Sequence, residues 1–174
     1  MTEREKHLKR YASGRSNLMI MSVFTLVNVL LLVLGGSLYF LFSASVPYFV
    51  AVFPWVMAEQ NPSFTALILP LTLLAILMLV PYVLAFFLGK DPSKYGWLLA
   101  ALILFGIDTV GFFVLDGLRE DNAINLVFHI WVLVSLAMAV YSAIKLKDLP
   151  AEEVEGAVAE RASESLPVEE HRDE

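Results

Sequence analysis

The 174-residue chain has no cysteine. That removes disulfides, thiol nucleophiles, iron–sulfur clusters and cysteine zinc ribbons, and it leaves the redox compartment unread. Charge is nearly missing between residues 16 and 144, apart from short connections. A basic nucleic-acid patch is lacking, and the net charge of −6 comes mostly from the last residues. Metal-site spacings such as HExxH or paired histidines do not occur, nor does a phosphate-cradling glycine loop. Only one histidine falls within an apolar run, whereas haem held between helices needs a second. The two halves show no repeat, which argues against an inverted-repeat transporter. The first apolar run is too long for a signal peptide and lacks an Ala-x-Ala cleavage site.

What fills the middle is hydrophobic. Apolar residues make up 58% of the chain, above the ~45–50% of an ordinary soluble domain, and the mean hydropathy is +0.70. A soluble core does not sort its charges to the two ends of the chain, whereas a membrane protein does. Runs of the ~20 residues needed to cross a bilayer predict spans at about 17–36, 64–88, 95–115 and 123–144, with Gly35-Gly36 weakening the end of the first. The predicted fold is all-α, a four-helix transmembrane bundle.

Residues 37–62 are apolar but carry Pro47, Pro54 and a dense set of aromatics. Tyr and Trp gather at membrane–water boundaries, so Tyr39, Tyr48, Trp55 and, farther on, Trp97 are expected to be interfacial. Ser45 is suited to cap a short helix with Pro47 in its first turn. The stretch is read as an interfacial or re-entrant aromatic helix after the first span. Residues 1–16 read as a basic tail, and 148–174 as an acidic, partly disordered one with a short helix permitted to about Ala162.

With four spans, all but one of the twelve Lys and Arg fall on the side of the termini; the exception is Arg119. The positive-inside rule then places both termini in the cytoplasm.

Few polar groups lie within the spans. At ~1.5 Å of rise per residue, Asp108 sits roughly 12 Å, and His129 roughly 10 Å, below the same outer end. Asn125 is one turn outward of His129, and Asp116 two turns outward of Asp108. Asn28 lies mid-way along the first span, with Ser22 and Thr25 on adjoining turns. Facing lipid would cost an isolated charge ~2.5–3.5 kcal/mol on the mildest scale, so Asp108 and His129 are expected to face the interior. Two readings stay open. The pair is a lock between helices, worth ~0.6–2 kcal/mol per hydrogen bond. Or it is a site for a proton, a cation or a small polar solute. A lock should tolerate amides at both positions, and a relay should not. Catalysis ranks third, because Ser135 is about 60° off the azimuth of His129 on the same helix. No catalytic residue or metal ligand set is assigned, and the sequence names no cofactor.

The block Arg15-Ser16-Asn17-Leu18, the stretch Tyr39 to Ala44 with Pro47-Tyr48, and Phe128-His129-Ile130-Trp131 before Lys145-Leu146-Lys147 resemble a family of small multi-span bacterial proteins without an assigned activity. The resemblance covers most of 15–149. It implies a bacterial inner-membrane protein and carries no functional residues over.

Function on this reading is transport, a channel or solute binding, with a polar centre in the outer half of spans three and four. The alternative is a structural or regulatory subunit acting through helix packing and its tails. Lipid is the certain partner of such a chain, and self-association is compatible with it. The orientation is checked by fusion reporters. One active only in the cytoplasm should work after Lys147 and fail at Glu120; the reverse pattern would invert the topology.

Overall fold

The computed structural model describes residues 1–36, 39–116 and 123–149; the side chain of Asp116, the connection 117–122 and the tail 150–174 lie outside them. The described elements are all helical: α1 (Glu3–Val33), α2 (Ser45–Gln60), α3 (Ile68–Leu77), α4 (Val80–Leu88), α5 (Gly96–Asp116) and α6 (Ala123–Asp148), with 3-10 turns at Pro62–Leu67 and Pro92–Lys94. Four stretches are long and apolar enough to cross a membrane: Glu3–Val33, Pro62–Leu88, Gly96–Leu115 and Ala123–Asp148.

α1 begins well before the expected boundary near Asn17. Thr2 and Glu5 form a reciprocal capping box: the Glu5 N–H donates to Thr2 Oγ1 at 3.1 Å, and the Thr2 N–H to Glu5 Oε2 at 2.9 Å. The basic segment is therefore part of a continuous helix of 31 residues, roughly 46 Å long, with Tyr11 and Gly14 buried. At its other end Gly35 takes φ 72°. There the Gly35 N–H donates to Leu32 O at 3.1 Å and the Gly36 N–H to Leu31 O at 2.8 Å. This paired closure needs a left-handed residue, which glycine adopts without penalty.

The second span is broken. Pro81 has no N–H for the carbonyl of Leu77 and its ring crowds that carbonyl. The helix accordingly stops at Leu77, passes through a turn closed by Leu79 N–H to Ile76 O at 3.0 Å, and restarts as α4.

α1, α6, α5 and α4 pack as a closed ring, each against the next, while α2 leans on α1, α3 and α5. The core lies inside that ring, with Leu18, Met21, Leu98, Phe105, Val132 and Leu136 buried. Only about a third of each span is buried. The outer faces carry Leu69, Ile107, Val114 and Val127, each well exposed. Water would penalise such faces, whereas hydrocarbon does not. The chain is thus built as a multi-pass membrane protein.

α1 and α6 approach so closely that a Cβ on Gly14 would lie 2.4 Å from Ala139 Cβ and 2.9 Å from Ser135 O. The Asn17 amide donates to Ser135 Oγ at 2.7 Å one turn along. A Cβ on Gly106 would meet nothing within 4 Å. The same substitution should therefore act in opposite directions at the two positions. Gly14→Ala is expected to destabilise by about 1–3 kcal/mol through overpacking. Gly106→Ala should stabilise by about 0.5–1 kcal/mol through helix propensity. Thermal unfolding in detergent measures both, and a stabilising Gly14→Ala would refute the close approach.

Candidate functional site

The site is built where the chain leaves α1 and enters α2. The N-terminal N–H groups of a helix have no partners within it, and in a bilayer water does not supply them. The N-cap of α2 is Ala44, whose side chain offers no capping hydrogen bond. The missing acceptors arrive from distant elements. Asp108 on α5 accepts from the Ser45 N–H at Oδ2 (3.0 Å) and from the Val46 N–H at Oδ1 (2.7 Å). Thr25 on α1 accepts from the Ala44 N–H at 2.7 Å while its own hydroxyl donates to Met21 O. Asn28 exchanges two bonds with the backbone of Phe40, both 2.8 Å, and donates also to Ser43 Oγ at 3.0 Å. A negative carboxylate at this end also meets the positive pole of the α2 dipole.

His129 closes the other side. Its Nδ1 lies 3.0 Å from Asn125 O, an oxygen that can only accept, so Nδ1 carries the proton in the neutral ring. Nε2 then accepts from Ser45 Oγ at 3.0 Å and stands 3.4 Å from Asp108 Oδ2. Protonation would turn Nε2 from acceptor into donor toward that carboxylate. The imidazole is held flat between two rings: Phe105 at 5.4 Å and 15°, Phe112 at 5.0 Å and 16°. Asp108 and His129 are 3% and 1% exposed. Gly111 makes room for this junction, since a Cβ there would lie 2.6 Å from Val46 Cγ2.

The structure therefore brings Asp108, His129 and the backbone of Asn125 together. Asn28 joins them indirectly, through the segment 40–46 that both layers hold. The Asn125 side-chain Oδ1 is buried without a hydrogen-bond partner. Asp116 remains outside the comparison, its side chain not being described. Among the aromatics, Tyr39 and Tyr48 pack on each other with centroids 4.8 Å apart, while Trp55 and Trp97 are exposed. Ser45 is the first residue of α2 and not its cap; its hydroxyl serves His129 instead.

Sequence reasoning missed Phe105 and Phe112, although their spacing of three and four residues from Asp108 puts all three on one face of α5. It also missed a second tertiary cap, at the far end of α4. There Arg15 donates to Phe86 O through Nη2 (2.8 Å) and Nε (3.3 Å), and Tyr11 Oη donates to Gly89 O at 2.8 Å. Cation meets carbonyls at the negative end of one helix, as carboxylate meets N–H groups at the positive end of another.

Beside the carboxylate lies a cavity of about 210 Å³ lined by Val46, Pro47, Met78, Pro81, Tyr82, Leu104, Ile107 and Asp108. Among the described residues no group of three or more His, Cys, Asp or Glu is placed to hold a metal ion. Comparison of the chain with protein-family models, curated proteins and solved structures finds no match.

The geometry argues against amide tolerance at one of the two positions. An amide at position 108 is not equivalent to the carboxylate, because its NH₂ would face a backbone N–H. Asp108→Asn should therefore cost about 1–3 kcal/mol, the typical cost of an unsatisfied buried group. Hydrogen exchange followed by mass spectrometry should show lost protection in the peptide around Ser45 and Val46, with the interior of α6 unchanged. Unaltered protection there would refute the capping role.

Proposed function

We propose that this protein is a structural or regulatory membrane component that works through helix packing, and that its polar centre is a clamp for α2 and not a conduit. One observation carries the reading: both oxygens of Asp108 are committed to backbone N–H groups, and both nitrogens of His129 to Asn125 O and Ser45 Oγ. A transported ion would have to displace bonds that hold the bundle together.

What the clamp presents is α2 itself. Pro47, Ala51 and Pro54 face the bundle, while Phe53, Trp55 and Val56 point outward. At 16 residues, or roughly 24 Å of helix, α2 falls short of a bilayer crossing, and an aromatic outer face suits the headgroup boundary. We place it at the outer interface. The lysine and arginine distribution supports cytoplasmic termini, and the resemblance noted above supports a bacterial inner membrane.

Solute or proton transport is the second reading. It is favoured by the cavity beside Asp108, where Tyr82 and a carboxylate share one wall. Purified protein in liposomes separates the two. Imposed proton, sodium or potassium gradients should decay no faster than in protein-free liposomes. A flux in the wild type that is lost in His129→Gln, with folding retained by circular dichroism, would overturn the clamp as the main role.

A further inference from the structure

The first three turns of α1 project a basic face: Lys6, Lys9, Arg10 and Ser13 recur at helical spacing and line a shallow depression of about 340 Å³ together with Met1. Lys9, Arg10 and Ser13 are exposed. The acids of this segment are engaged locally, Glu3 with Lys6 and Glu5 with the Thr2 N–H.

α6 runs antiparallel alongside and ends at the same level. The ring of His7 lies 6.2 Å from that of Tyr141, and Arg4 Nη1 is 3.4 Å from Leu149 O. From that point 25 further residues follow. They hold half of the chain's eighteen Asp and Glu and only two Arg. Glu152 and Glu153 come three and four residues after Leu149, within roughly 10–14 Å of it along an extended chain.

We infer that the basic face of α1 is the docking surface for the chain's own acidic C-terminal segment, Glu152–Glu174. The two ends of the protein are thereby joined electrostatically beyond the membrane. Charge complementarity and the position of Leu149 both select this occupant. Height argues against the competing one, an anionic lipid surface. Arg15 caps the final turn of α4, and Lys6 to Arg10 stand five to nine residues beyond it, roughly 8–14 Å farther along the axis. With Arg15 at the edge of the hydrocarbon and a headgroup layer only ~5–8 Å thick, Lys6 and Lys9 reach past that layer, while Arg10 stands at its rim.

The absence of native cysteine makes the test direct. Donor and acceptor dyes are attached at Ala12→Cys, exposed but off the basic face, and Ser165→Cys of the full chain, with one copy per nanodisc of phosphatidylcholine. Energy transfer should be high at 20 mM salt. It should fall at least by half at 0.5 M NaCl, where screening acts over roughly 4 Å. The same drop should follow Lys6→Gln, Lys9→Gln and Arg10→Gln combined, a change that removes charge and leaves good helix formers. Helicity is confirmed by circular dichroism. Transfer that ignores both salt and neutralisation would overturn the inference. So would transfer abolished by 30% phosphatidylglycerol in the disc, which would give the face to lipid. An unfolded triple variant would leave the salt series on the wild type to decide.

Discussion

A helix that begins at buried residues must find acceptors for its first N–H groups within the protein. Here one carboxylate supplies two of them. Asp108 reaches from α5 to the Ser45 and Val46 amides, and the remaining features of the centre follow from that demand. His129 stands beside the carboxylate with its ring fixed between two phenylalanines, Gly111 gives Val46 space, and Thr25 and Asn28 hold the preceding backbone. A buried group left unpaired is costly, and this junction pairs its backbone groups while leaving the Asn125 Oδ1 without a partner. That is why a polar cluster which resembles a relay in the sequence is occupied, in the structure, with holding backbone.

The same economy appears at the opposite end of the bundle with the signs reversed. Arg15 and Tyr11 donate to the carbonyls that α4 leaves open. Between these two tertiary caps runs the packed ring of α1, α6, α5 and α4, with α1 and α6 in close approach at Gly14. The outward faces are apolar and contribute little beyond compatibility with lipid. Specificity of the fold therefore resides in a few polar bonds and small residues, as expected where the hydrophobic effect does not drive helices together.

The spans were legible because a long apolar run is a strong signal that needs no periodicity. Gly35 announced a helix end, whereas the break before Pro81 went unread, although both have a backbone cause. The early start of α1 was obscured by its charges, although Thr2 and Glu5 spell a capping box. The aromatic stretch showed a short helix through its Ser45 and Pro47, yet the cap is not local. Asp108 lies 63 residues beyond Ser45, and no local pattern marks an acceptor at that distance. Asp108 and His129 stood out as candidates because intramembrane ionisable residues are rare. What they bind could not be read, since backbone amides leave no trace in side-chain spacing.

That separation has a consequence for how the protein is made. Ribosomes deliver Ser45 and Val46 long before Asp108, and His129 later still, 84 residues after Ser45. When α1 first enters the bilayer, the entrance to α2 has only Thr25 and Asn28 to satisfy it, and two of its amides have no acceptor. Those two amides gain their acceptor only once the third span has been made. The entrance to α2 is therefore completed only by residues made 63 and 84 positions after Ser45.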